Sequence, residues 1–170
     1  MNYPKIKDYY DYIFDDIRGL VYDDKQKPFY EKDTEGIEKL KSTLDLVKND
    51  TYYPTFFDKA AYIFISLSAG HYFINGNKRL ALFSYFYFTT IDDYSFKSLS
   101  IKTYKKWFKK YFANFTMSSH DFQYNVGWAL YNFNRVVNIK YSENKTGHQY
   151  NFDELKNISV TFFKFITKSK

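Results

Sequence analysis

Hydrophobic and polar positions along this chain keep a helical period almost throughout. Ile6, Tyr9, Tyr10, Ile13, Phe14 and Ile17 recur on one side of the period, with Asp11, Asp15 and Asp16 between them. This predicts an amphipathic helix ending near Gly19. Residues 21–32 break the period and contain Pro28, so a loop is expected there. Ile37, Leu40, Leu44 and Val47 mark a second helix, with Asp33 or Thr34 as its cap, and the stretch from Asn49 to Pro54 reads as a turn. Thr55-Phe56-Phe57-Asp58 has the spacing of a capping box, with Asp where Glu is commoner. The helix it opens is apolar nearly all round (Phe56, Phe57, Ala60, Ala61, Ile63, Phe64, Leu67), which places it at the centre of a core. Gly70 is its stop signal.

A polar segment over 71–78 leads into another largely apolar helix, expected from Arg79 to about Thr90. After a turn at Asp92-Asp93, Ser100 is positioned to cap a helix through Phe115. Its aromatics (Trp107, Phe108, Tyr111, Phe112, Phe115) share one face, while Lys102, Lys105, Lys106, Lys109 and Lys110 occupy much of the rest. A further helix is expected from about Ser119 to Val137, with Phe122, Val126, Leu130 and Phe133 inward. A polar stretch over 138–150 precedes a last helix starting at Asn151, with Glu154 three residues on and Leu155, Ile158, Phe162 and Ile166 buried. There is no repeat, low-complexity tract or obvious linker. The expected architecture is one all-α domain over 1–170.

Composition adjusts this picture in a few places. The chain has 170 residues, enough for a single sizeable core. Nineteen Tyr, nineteen Phe and two Trp are an unusual aromatic load. With so much Lys and only three Arg, it reads as compositional drift of an AT-rich coding sequence that fills core positions. The net charge of +6 permits an anionic partner without demanding one. There is no cysteine, which excludes disulfides and thiolate chemistry, and three histidines leave little for a zinc site. The N-terminus lacks an uninterrupted apolar stretch and no run reaches the length of a membrane span. A soluble cytoplasmic protein without a membrane partner is therefore expected.

The chemistry concentrates in Gly70-His71-Tyr72-Phe73-Ile74-Asn75-Gly76-Asn77-Lys78-Arg79. Gly76 permits a tight turn in which successive N–H groups converge on an anion. The loop feeds a helix N-terminus, which favours phosphate. Lys78 and Arg79 add two positive charges, and Arg can clamp phosphate through two N–H groups. His71 is near enough in sequence to serve the same anion as a general base. The residues alone therefore suggest phosphate binding beside a base.

His-x-Phe-x-Asn-Gly-Asn-Lys-Arg over His71 to Arg79 resembles the signature of Fic/Doc (Fido) proteins, specifically the death-on-curing (Doc) branch. Lys78 stands where that branch has Lys, and Leu82 where the adenylyl-transferring Fic enzymes have a final Arg. The likeness covers about 55–90 strongly, with a weaker echo at Thr34 to Leu40, and does not extend beyond about residue 95. It implies a Fido-type helical bundle with the motif loop between two central apolar helices. It further implies His71 as the base that deprotonates a target hydroxyl, Phe73 as the inward anchor of the loop and Gly76 and Asn77 as a phosphate cradle. Lys78 and Arg79 would bind the nucleotide phosphates and stabilise charge during transfer. The implied donor is ATP with Mg²⁺, and the implied reaction is transfer of the terminal phosphoryl group to a hydroxyl of elongation factor Tu, arresting translation. The alternatives are AMP transfer (AMPylation) and a catalytically silent binding module. The family's magnesium-holding carboxylate falls at Asn75, a neutral and weaker metal ligand. Many Fic proteins carry an inhibitory (Ser/Thr)-x-x-x-Glu-(Gly/Asn) motif. Glu35-Gly36 is preceded by Glu31 and Glu143-Asn144 by Ile139, so neither fits. An antitoxin supplied as a separate chain is the implied regulator.

Of the remaining candidates, His120-Asp121 reads as a capping and surface pair and His148 as a loop residue. The lysines of 102–110 read as the solvated face of a core helix, with nucleic acid the less favoured partner. Asp15-Asp16 and Asp23-Asp24 read as solvated surface, with a cap or turn role for the second pair.

Overall fold

The computed structural model describes residues 1–120, 122–142 and 149–170. Asp121, Glu143, Asn144, Gly147 and His148, on which the sequence places a surface pair, a motif that does not fit and a loop, lie outside the described residues. Seven helices carry the described fold. Helix α1 runs through Ile6–Asp8, a π-helical turn at Tyr9–Ile13, and Phe14–Gly19. It is followed by α2 (Thr34–Leu46), α3 (Phe56–Ala69), α4 (Asn77–Ile91), α5 (Ile101–Tyr111), α6 (Asn125–Ser142) and α7 (Phe152–Ile166). Two short strands, β1 (Tyr94–Phe96) and β2 (Thr167–Ser169), pair antiparallel with Ser95 opposite Lys168. The protein is an all-α bundle with a small clasp of sheet.

Helix α3 is the axis of the bundle, packed chiefly against α4 and α7 and also against α6. Its lack of a polar face is the reason, since water has no side from which to solvate it. Thr55 accepts from the Asp58 N–H while Asp58 Oδ2 accepts from the Thr55 N–H, the reciprocal box expected from sequence. Asn151 and Glu154 do the same for α7. The aromatics interlock through the core: Tyr85 stacks on Phe163 at 3.9 Å and Phe133 on Phe162 at 4.1 Å. Such pairs contribute about 0.5–1.5 kcal/mol beyond simple burial. Much of the aromatic excess fills the interior, while Tyr12, Tyr22, Phe29, Tyr52 and Tyr124 are exposed. Among the buried polar residues, Lys59 in α3 is a fully buried charge, whose ammonium donates to Val47 O at 2.6 Å and to Asp50 Oδ1 at 2.7 Å.

The structure corrects several boundaries. In α1 the π turn shifts the phase of the helix, so Tyr9 is buried while Tyr10, expected inward, is exposed. Helix α4 begins at Asn77, two residues before the expected Arg79. Helix α5 stops at Tyr111, because Phe112 leaves helical geometry to turn its ring into the core. Helix α6 begins at Asn125 and reaches Ser142, so Phe122 lies outside it and is exposed. Side chains fold back from α6 to hold the preceding segment in non-helical form: Asn132 Oδ1 accepts from the Ser118 N–H and Trp128 Nε1 donates to Ser118 O. The sheet clasp joins residues far apart in sequence, beyond the reach of local periodicity.

Candidate functional site

The loop between α3 and α4 has left-handed backbone at two residues. Gly70 closes α3 in ordinary right-handed geometry, and it is His71 that turns left-handed, with φ +48°. A helix end commonly gives that position to glycine, because a Cβ there is strained by about 1–2 kcal/mol. The strain thus falls on the candidate base, a pattern associated with functional positions. Gly70 is needed for a different reason: a Cβ there would lie 2.2 Å from Ser66 O. Gly76 is the second left-handed residue, with φ +80°, and a Cβ on it would lie 2.3 Å from the Tyr30 hydroxyl.

Three contacts hold the loop in shape. The side chain of Asn77 clasps Phe73, accepting from its N–H at 2.9 Å and donating to its carbonyl at 2.6 Å. Both polar ends of Asn77 are therefore used inside the loop, and what it offers an anion is its backbone N–H. Phe73 points inward as the resemblance implies: it is buried, edge-on to the Tyr30 ring at 5.0 Å. Tyr30 in turn donates to Gly76 O at 2.8 Å. Burial pushes the Tyr30 hydroxyl well above the usual phenol range, against the opposing pull of Arg79 and Arg18, so it remains a donor.

Helix α4 opens with Gly76 as its cap, which supplies no side-chain acceptor to the N–H groups of the first turn. Lys78 is exposed at the mouth, and Arg79 is partly buried with its Nη1 atom enclosed and without a hydrogen-bond partner among the described residues. A buried guanidinium N–H left unpaired costs about 1–3 kcal/mol. His71, Asn75, Gly76, Asn77, Lys78 and Arg79 all line one cleft of about 290 Å³, so the structure brings together every site residue singled out from sequence. No carboxylate is among the lining residues. The cleft is cationic and has amide and hydroxyl groups in its lining, which suits a phosphate chain.

The donor set suits a metal less well. Asn75 is exposed and its Nδ2 donates to Gln26 O at 2.9 Å, which leaves Oδ1 as its free acceptor. Among the described residues there is no cluster of three His, Cys, Asp or Glu able to hold an ion. These residues do not by themselves form a site for Mg²⁺.

The sequence reading missed the floor of the cleft, which comes from Ser68 of α3 and Asn138 of α6. Buried Asn134 donates to Lys78 O at 2.7 Å and accepts from Ser68 Oγ, and Asn138 donates to Ser68 Oγ at 2.7 Å. Asn134 and Asn138, one turn apart among the apolar residues of α6, were the available signal, since buried amides need partners. On the far side of the exposed Ile74 and Asn75 lies a larger cleft of about 610 Å³, bounded by Lys27, Phe29, Tyr30 and Glu35. His120 lies elsewhere, exposed in the loop before α6, where its Nδ1 pairs with Ser118 Oγ at 2.6 Å and it caps no helix.

No curated protein and no solved structure matches the chain at the significance applied. The family model described as Fic/DOC family matches residues 1–89, more than half of the chain, and spans α1 to nearly the end of α4 with the whole motif loop. That match and the cationic loop cleft give one answer: the chain belongs to the Fic/DOC family, whose members generally transfer nucleotide phosphate groups to proteins.

Proposed function

We propose that this protein is a Doc-like phosphotransferase, moving the terminal phosphoryl group of ATP to a Ser or Thr hydroxyl of a protein. The observation that carries the reading is a carboxylate-free cleft that gathers His71, Lys78 and Arg79 at the uncapped first turn of α4. Lys78 at position eight of the motif and Leu82 beyond it favour this branch over AMP transfer. ATP is the substrate that the cleft receives, its phosphates meeting Lys78, Arg79 and the uncapped first turn of α4. The larger cleft across Ile74–Asn75 gives a target segment room to bring its hydroxyl to His71. The target oxygen attacks the terminal phosphorus and the bond from that phosphorus to the bridging oxygen breaks. The hydroxyl proton passes to the imidazole of His71, and ADP leaves. Mg²⁺ brought in with the nucleotide would be held by the phosphates themselves and would neutralise their charge, with the neutral Asn75 Oδ1 as the one side-chain acceptor of the loop that could assist.

By resemblance the target is elongation factor Tu, the setting is the cytoplasm, and the regulator is an antitoxin chain acting in trans. The test is the intact mass of purified elongation factor Tu after incubation with the protein, ATP and Mg²⁺, beside a His71→Ala control. Gain of one phosphoryl group, lost in the control, is the expected result. Gain of AMP would transfer the protein to the adenylylating branch. ATP binding with no modification of this target would discard the target, and absence of ATP binding would discard the enzyme.

A further inference from the structure

Charge is unevenly distributed in this chain. Residues 94–142 contain eight basic residues and one acid, a net of +7, while the rest of the chain nets −1. The one acid, Asp121, is outside the described residues. Lys102, Lys105, Lys106, Lys109 and Lys110 follow the i, i+3, i+4, i+7, i+8 pattern on α5 and are all exposed, opposite the buried Tyr104, Trp107 and Phe108. Among the described residues none of the five has a carboxylate within 4.0 Å, whereas seven other cations of the chain do. The result is a stripe of like charge, roughly 12 Å long at 1.5 Å per residue.

Two clefts adjoin the N-terminal end of this stripe and share Asn125 as a common wall. One, of about 400 Å³, is bounded by Lys105, His120 and Phe122; the other, of about 370 Å³, by Lys97, Gln123 and Tyr124. Tyr124 is 67% exposed, and Phe122, its ring tilted on Tyr131 at 5.3 Å, is 38% exposed, so each cleft pairs a lysine with an aromatic ring that water still reaches. Ser98, Ser119 and Gln123, also in the clefts, make no side-chain hydrogen bond among the described residues.

We infer that this face binds single-stranded RNA, its phosphates following the lysine stripe of α5 and unpaired bases entering the two clefts against Phe122 and Tyr124. A charged track beside stacking rings is the physical requirement for single-strand binding. An acidic protein would use the lysines but has no need of the rings. An anionic membrane would need apolar side chains among the lysines, and the stripe has none exposed. The free hydroxyls and amide of Ser98, Ser119 and Gln123 suit the 2′-hydroxyl that distinguishes RNA from DNA. The face is separate from the loop cleft, so its occupation is independent of the proposed transfer reaction.

The test is fluorescence anisotropy of a labelled oligouridylate titrated with the full-length protein at several salt concentrations. Affinity is expected to fall with salt, with a log–log slope near −0.7 per phosphate contacted, about −3.5 for five. The combined Lys102→Gln, Lys106→Gln, Lys109→Gln variant is expected to reduce that slope by about 2. Tyr124→Ala is expected to weaken binding about tenfold at an unchanged slope. Tyr124→Leu keeps the side chain's bulk and loses the ring, and is read instead if the alanine variant melts early. Absence of binding at low salt, or a slope unmoved by the triple variant, overturns the inference. So does equally tight binding of labelled polyglutamate, of duplex RNA, or of an oligothymidylate.

Discussion

His71 carries two demands that conflict. Its backbone ends α3 in a left-handed turn, where glycine would be at ease, and its side chain faces the cationic cleft. Substituting glycine should therefore stabilise the fold by about 1 kcal/mol relative to His71→Ala while both abolish transfer, a difference urea denaturation would detect. Equal stabilities would mean that the left-handed turn costs nothing here. Arg79 poses the same conflict in electrostatic form, because its charge lines the cleft while its enclosed Nη1 has no hydrogen-bond partner among the described residues. Arg79→Met removes an unsatisfied donor and is expected to leave stability unchanged or raise it by about 1 kcal/mol, while ATP affinity in calorimetry drops at least tenfold. Undiminished ATP binding would remove Arg79 from the phosphate site. At this scale the sequence was highly legible, because the motif residues are contiguous and a loop of ten residues carries its own geometry. The strain at His71 was not legible, since Gly70 next to it is the residue a reader would assign to the turn.

Helix ends and helix contacts separate stability from function. The Thr55–Asp58 box sits at the far end of α3 from the cleft, so Thr55→Ala should cost about 1 kcal/mol in a melting experiment and leave ATP affinity alone. Asn134 is different. It ties α6 to the first turn of α4 through Lys78 O and to α3 through Ser68. Asn134→Leu fills the same space but strands those partners, so about 1–3 kcal/mol of stability is expected to go together with weaker ATP binding. If stability falls and ATP affinity does not, the network shapes the bundle without positioning the site. Helix existence followed from periodicity, whereas the ends of α5 and α6 did not. Phe112 and Phe122 are equally aromatic in sequence, yet the first turns into the core and the second faces water, because hydrogen bonds from Asn132 and Trp128 fix the segment between them.

For the whole molecule, the buried ammonium of Lys59 links core stability to pH through its exposed partner. Hydrogen bonding and charge from Lys59 hold the Asp50 carboxyl below its usual range. A depressed folded-state pKa gives stability that is present above the unfolded value, about 3.9 for aspartate, and lost as pH falls through the lower folded value. Melting temperature is therefore expected to drop on acidification below about pH 4, and Asp50→Asn should flatten part of that limb while lowering Tm at neutral pH. An acid limb identical in the variant would assign it to other carboxylates, of which Asp24, lowered by Lys27, is one. The same scale holds the charge segregation between residues 94–142 and the remainder, which is visible in sequence as a count and acquires meaning only when α5 presents the lysines to one side.

The sequence by itself determined the all-α class, the central helix, two capping boxes and the loop that carries the chemistry. Each of these is a local matter: a period, a cap or a run of neighbouring residues is decided within about one to four turns of chain. The tertiary structure alone decided that Tyr30 and Gln26 brace the loop from another segment, that Ser68 and Asn138 form the floor of the cleft with Asn134 tied to Lys78 O, and that β1 and β2 close residues 94–96 onto 167–169. These contacts join positions tens of residues apart, and which buried polar group finds which partner is settled only when the helices pack and every amide must be satisfied.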